Sequence, residues 1–371
     1  MVYVVRTQAE LSRALRKAQP GDWIQIEASE IAGGLYVEGV SGAPDQPIRL
    51  SARHPKRPAV IRGGARGIQL SRCAHWHISD LHFEGQTVHC LNIDDGGVRT
   101  QPVAGIRLSR LELRHAGTPG NTEAIKLSGL TEFTLEACRI HNWGREGQGV
   151  DIVGCHHGQI RDCWLRARDD WGVGIQTKGG SSQIQIVRCR FEQAGRRAIN
   201  IGGSTGLDYF RPPLESGKTH AEARAITVER CEFIGSEAPI AFVGVDGALA
   251  QYNTFYMPTR WILRILQETT HAGFVPARGG AFRRNIVVFH SARWASGGVN
   301  VGANTAPETF QFQENWWYCV DDPRRSQPRL PAPETGGVYG RDPRLRNPES
   351  GDLRCAPDSP ARDYGACYNS R

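Results

Sequence analysis

One pattern recurs along this chain: apolar, any, apolar, any, any, Cys or Asn, any, apolar. Its clearest copies are Phe133-x-Leu135-x-x-Cys138-x-Ile140, Ile184-x-Ile186-x-x-Cys189-x-Phe191 and Ile226-x-Val228-x-x-Cys231-x-Phe233. Looser copies put Leu81, Leu111, Cys163, Asn253, Asn285 and Asn315 at the marker position. Successive markers stand 30, 27, 25, 26, 42, 22, 32 and 30 residues apart. Alternation of apolar and polar residues is the signature of a strand, whose side chains point to opposite faces in turn. A floor of 22 to 26 residues suits one coil of a parallel β-helix, with the excess looped out. Leucine-rich repeats share the period but need a leucine scaffold that is absent here, and a propeller blade needs about 40 residues or more.

The pattern predicts an all-β fold, a right-handed parallel β-helix over residues 1–371 as one domain. A chain of 371 residues would otherwise be expected to split into two cores, but a solenoid core lengthens with each repeat. The 43 glycines and only 2 methionines agree with a turn-dense β architecture. The marker has a physical reading: stacked inward Asn side chains satisfy turn backbone groups, and Cys at the same point is a small buried apolar residue. None of the ten cysteines forms the close CxxC pairs of zinc sites. Cys355 and Cys367 are near enough in sequence to pair or to stay free.

The ends fit a capped solenoid. Residues 1–22 read as a strand and a capping helix: Thr7-Gln8-Ala9-Glu10 is a capping box before Leu11, Ala14, Leu15 and Ala18. Residues 321–371 read as a C-terminal loop and tail, and 203–223 as a loop that accounts for the 42-residue spacing. No apolar stretch reaches the ~18–20 residues that cross a membrane. The start shows no signal-peptide pattern, so the protein either stays inside the cell or has had a signal removed before secretion or export to the periplasm.

A second strand precedes most markers: 124–127, 150–152, 174–178, 198–201, 263–265 and 299–301. With the apolar partners inward, Lys126, Asp151, Gln176, Asn200, Arg264 and Asn300 point outward, and rungs ~4.8 Å apart stack them into one polar stripe. Lys178 projects one outward position further on. Such a stripe lines a groove for an extended polymer. The net charge of +7 suits an acidic polysaccharide or oligosaccharide. Nucleic acid is not indicated, because no recognised motif accompanies the charge.

The segments 14–22 and Gly42-Ala43-Pro44-Asp45-Gln46-Pro47-Ile48-Arg49-Leu50 resemble the entry of chondroitinase B and related alginate lyases, within the pectate-lyase-like superfamily. The tail from Asp358-Ser359-Pro360-Ala361 to Gly365-Ala366 is similar to the close of many bacterial β-helix proteins. The resemblance implies a lyase with a Lys base and an Arg acid, and in many members calcium (Ca2+) on the substrate carboxylate. Lys178-Gly179-Gly180-Ser181 falls where the base is expected. Asn200 falls at the arginine position, with Arg197 just before it, and no acidic calcium set has a counterpart.

Elimination from a uronic acid needs its carboxylate charge offset, a base for the C5 proton and an acid for the leaving oxygen. Lys178 is the candidate base; Arg264, Arg211 and Lys126 are candidates to offset charge. Tyr209, Arg211 and His157 are candidates for the acid. Each also has a plainer reading as a solvated surface group. Asp151 and Asp170, with Asp169 and Asp246, keep a hydrolase or epimerase open, since glycosidases work with two carboxyls. Asp170 equally reads as a turn residue. Trp171, with Trp143 and Trp261, is placed to stack on sugar or to pack a loop. The His156-His157 pair alternates direction and does not read as a metal site. A non-catalytic glycan-binding β-helix remains the third reading.

Overall fold

In the computed structural model, residues 1–117 and 122–368 are described. The chain winds into a β-solenoid of parallel strands in three long sheets of 15, 10 and 12 strands. Each coil contributes one strand to each sheet in turn, as in Gln148–Val153, His156–Arg161 and Trp164–Arg166. The 10-stranded sheet carries the predicted stripe and is called the groove sheet below. Inward residues from all three faces form one continuous core.

The marker lies at the corner between the first and third sheets. The residue before it is in the left-handed region at all nine corners, from Asp80 (φ 58°) to Glu314 (φ 51°), and none of the nine is Gly. That conformation costs about 1–2 kcal/mol for an L-residue. Marker side chains offset the cost by pairing the corner backbone. Asn285 Oδ1 accepts from Asn253 N at 2.9 Å, Asn315 Oδ1 from Asn285 N at 3.0 Å, and Asn253 Oδ1 from Cys231 N at 2.9 Å. Glu334 Oε1 ends the ladder on Asn315 N at 3.1 Å. Where the marker is Cys, the thiol takes the same place more weakly, as between Cys189 N and Cys231 Sγ at 3.4 Å. Outside the corners, charged residues of adjacent coils pair: Arg110 with Asp80 and Arg188 with Asp162.

The helix forms at Gln8–Lys17 with both capping-box hydrogen bonds, and Leu11, Ala14 and Leu15 are buried against the first coils. Inside the third sheet Phe191, Phe233 and Phe255 stack at 4.8 and 4.7 Å, the spacing of the rungs themselves. The C-terminal tail forms an antiparallel pair, Leu345–Asn347 with Asp352–Cys355, and Cys355 is disulfide-bonded to Cys367. The eight other cysteines are free and buried.

Candidate functional site

Register on the groove sheet runs Tyr36, Gln69, Asn92, Lys126, Asp151, Gln176, Asn200, Ala241, Arg264, Asn300. All six stripe residues read from the sequence stand in this single column. The earlier members Tyr36, Gln69 and Asn92 extend it. Ala241 interrupts it, because the strand Ala238–Val243 is apolar throughout and its outer face packs Ala241 and Val243 with Leu266. Arg264 and Asn300 therefore sit beyond an apolar gap, three and four rungs from Gln176, with Arg264 Nε donating to Asn300 Oδ1 at 2.9 Å.

Asp151 is the centre of the column. It is fully buried. Its Oδ2 is paired with Lys126 Nζ, and Lys178 Nζ lies 3.5 Å from Oδ1, which accepts no hydrogen bond. Burial works to lower the Lys126 pKa, but the charges of Asp151 and Glu123 outweigh it, and the net shift is upward. Lys126 is thus a fixed cation. Glu123 lies 3.9 Å from Lys126 and 3.0 Å from His89 Nδ1, the latter without the alignment of a hydrogen bond.

The loop 203–222 walls this centre. It leaves the groove sheet after Gly202 and runs back along the stacked turns. Arg211 N donates to Gly179 O at 3.0 Å. The Arg211 guanidinium then grips Asp95 with Nε–Oδ2 at 2.5 Å and Nη2–Oδ1 at 2.9 Å. Asp95 stands four rungs before Asn200, so the loop folds back over ~19 Å. Glycine makes room for it: a Cβ on Gly154 would lie 2.4 Å from Arg211 Cβ, and one on Gly129 would lie 2.1 Å from Asp95 Oδ2. Tyr209, 64% exposed, hangs from the short turn Leu207–Tyr209 over the cleft. The cleft holds about 440 Å³ between His89, Asp94, Lys126, Lys178 and Tyr209.

Behind Lys178 lies a buried carboxylate that the sequence did not advertise. Glu222, fully buried, accepts from Gly179 N and Thr205 N at 2.9 Å each, Thr205 Oγ1 at 2.7 Å and Thr269 Oγ1 at 2.5 Å. No cation pairs with it among the described residues. Burial raises its pKa despite these four donors. It ties the turn after Lys178 to the base of the wall loop.

The structure brings together Lys178, Lys126, Asp151, Tyr209 and Arg211, with Gln176 and Asn200 alongside. Arg211 spends its charge on Asp95, which leaves it as the clamp of the wall. Arg197 Nη1 is held by Asn200 Oδ1 and Glu268 Oε1, both at 3.2 Å. Arg264 makes no ion pair among the described residues: burial, then Arg197 and Arg196, lower its pKa to about 10, against Glu237 and Glu268. Trp171 is exposed, with Arg145 and Arg196 over its ring. Asp170 lines a different cleft beside His141, Trp164 and Arg166, so it does not pair with Asp151. Asp169 caps its turn through Trp171 N at 2.9 Å, and Asp246 is held by Arg224 and Arg278. His157 is exposed on the first-sheet strand His156–Arg161, at φ 52°, outside the cleft. His89, Asn92, Asp94, Asp95, Glu123 and Glu222 belong to the site and were missed. The signal for Asn92 and Asp94 was the outward alternation in His89–Asp94, a strand whose coil lacks a Cys or Asn marker.

The acidic groups here do not make a calcium cage. Asp94 accepts from Gln69, Ser71 and Asn92, Asp95 is taken by Arg211, and Asp151 by two lysines. Hard cations need several carboxylate or carbonyl oxygens left open to them. Among the described residues no three His, Cys, Asp or Glu side chains converge as metal ligands.

A family model described as "Right handed beta helix region" matches residues 66–255. The chain belongs to this right-handed β-helix family. No curated protein matches its sequence. Among solved structures, this β-helix is similar to a PL6 family polysaccharide lyase from Pseudopedobacter saltans, with TM-score 0.59 and 13% identity over 99% of this chain and 100% of that one. It is also similar to an alginate lyase from Paenibacillus sp. str. FPU-7, with TM-score 0.51 and 15% identity over 82% and 96%. An endo-xylogalacturonan hydrolase from Aspergillus tubingensis shares the fold at TM-score 0.50 and 10% identity over 91% and 100%. At such identities the shared feature is the β-helix itself, which carries more than one chemistry. Among the described residues no helix is long and apolar enough to cross a membrane.

Proposed function

We propose that this β-helix is a polysaccharide lyase that cleaves an acidic, uronate-containing glycan by β-elimination in the cleft around Lys178. The observation that carries the reading is the Lys126–Asp151–Lys178 arrangement beneath Tyr209. A polymer laid along the groove sheet meets two ammonium groups sharing one buried carboxylate. Lys126 is held by two acids and offsets the charge of the substrate carboxylate and of the enolate that develops from it. Lys178 has no hydrogen bond to Asp151 and takes the C5 proton. Tyr209 gives a proton to the departing glycosidic oxygen, and Arg211 holds it there through its backbone oxygen at 2.8 Å. The alginate lyase and the PL6 family enzyme that share the fold support the substrate class.

Asp94 favours a second reading. It lines the cleft whose lysines hold Asp151, and two carboxyls on one groove are what a glycoside hydrolase needs. Digestion of alginate, polygalacturonate and chondroitin sulfate, read by mass spectrometry, separates the two. Elimination yields an unsaturated end and a product lighter by one water than hydrolysis yields.

A further inference from the structure

The first sheet carries a second trough, on a different face of the solenoid and nearer its N-terminal end. Its wall is the register column Trp23, Arg49, His77, Arg107. Its floor is the next outward column, Ser51, Ser79, Ser109. Four rungs in register span ~14 Å. The far side is the corner where Arg110 forks onto Asp80 at 2.6 and 2.7 Å. The space between holds about 360 Å³.

Three features of this trough point to a ligand. The Trp23 indole, 36% exposed, is fixed edge-down by Nε1 donating to Ser51 Oγ at 2.9 Å, which leaves a ring face as a platform. The exposed Arg49 guanidinium has no ion pair and no hydrogen bond among the described residues. Ser109 is 6% exposed, faces the trough, and its hydroxyl has no partner among the described residues. The local charge is positive: Arg107 and Arg161 share Glu136, Arg110 holds Asp80, and Arg49 is left over. His77 adds little positive charge, because burial, then Arg107 and Arg49, lower its pKa.

We propose that this trough is a second, non-catalytic binding site for an acidic oligosaccharide. A sugar ring stacks on Trp23, its carboxylate or sulfate pairs with Arg49 and Arg107, and its hydroxyls meet the serine floor. A flat hydroxyl-lined floor beside a single aromatic and one free guanidinium, that of Arg49, suits a ring that carries both hydroxyls and an anion. Tethering one stretch of polymer here raises the effective concentration of the next stretch at the groove sheet.

The test is binding rather than turnover, so it stands apart from the lyase reading. Polygalacturonate and chondroitin sulfate hexasaccharides are titrated into the full chain carrying Lys178→Ala, and into the same chain with Arg49→Glu or Trp23→Ala added. Arg49 holds no structural contact, so its variant is expected to melt at the parent temperature. The expected result is saturable binding by the Lys178→Ala chain, weakened at least tenfold by Arg49→Glu and by Trp23→Ala, and weakened by added salt. No binding to the parent, or a Kd unchanged by both substitutions, overturns the proposal.

Discussion

Lys178 Nζ stands 3.5 Å from Asp151 Oδ1, a buried carboxylate oxygen that accepts no hydrogen bond, while Lys126 occupies the other oxygen. One acid thus holds one lysine firmly and a second loosely. Asp151→Asn keeps the shape but removes the charge that separates the two ammonium groups. Turnover is expected to fall at least a hundredfold. Asp151→Ala, which leaves two cations without their shared partner, is expected to cost about 3–5 kcal/mol of stability as well. Denaturant melts and initial rates on the two variants check this.

The Arg211–Asp95 fork is the only charge pair that ties the tip of the wall loop to a distant coil among the described residues. Arg211→Ala strands Asp95, which is 1% exposed, and the expected loss is about 3–5 kcal/mol. Amide exchange in residues 203–222 is expected to rise well above that of the groove strands, and turnover is expected to drop with Tyr209 no longer held over the cleft.

Glu222 makes stability depend on pH in a defined direction. Its folded pKa is raised, so the folded chain binds this proton more tightly than the unfolded chain. The stabilisation it gives is complete below the ordinary glutamate range and is lost as pH rises through the raised value. Glu222→Gln is expected to flatten that dependence. It also costs about 1–3 kcal/mol, because Gly179 N and Thr205 N donate to opposite oxygens and an amide can accept from only one. Urea melts across the acid range read both effects.

The corner ladder predicts a different loss. Asn285 accepts from Asn253 N and Nδ2 and donates to Ala250 O, so Asn285→Ala removes three buried hydrogen bonds, while Asn253 Nδ2 keeps Val228 O. About 3 kcal/mol or more is expected from thermal or urea unfolding. Asn285→Cys is expected to cost less, since four other corners already use Cys.

The carboxylates of the cleft, engaged by lysine, arginine or neighbouring donors, predict that a chelator leaves turnover unchanged. A loss of rate on chelation, restored by calcium, would place a metal where lysine and arginine now sit.

Much of this was legible in the chain itself. Alternation made the strands beside the Cys and Asn markers readable, and the markers made the corner readable because each solves the same backbone problem. The stripe followed from those two periods, down to the neighbours of Asp151. What escaped had no period. The coil of Asn92 and Asp94 carries Leu111, as the coil before it carries Leu81, where the later ones have Cys or Asn. The strand Ala238–Val243 is apolar on both faces, so its outward Ala241 left no polar mark. The wall loop was visible as excess length, but its fold-back onto Asp95 joins residues 116 positions apart, and Glu222 gathers donors from three separate segments. Such contacts depend on how coils stack, which no local pattern encodes. Asp170 and His157 sit close to the groove in sequence, but each follows a turn that sends it to another face.

The most direct measurement is a digest of alginate, polygalacturonate and chondroitin sulfate by the parent chain, Lys178→Ala and Tyr209→Phe, with products read by ultraviolet absorbance and mass. The account predicts unsaturated products from at least one of these glycans, abolished by Lys178→Ala and slowed about a hundredfold or more by Tyr209→Phe. Saturated products carrying an added water, or unsaturated products formed as fast without Lys178, would contradict it.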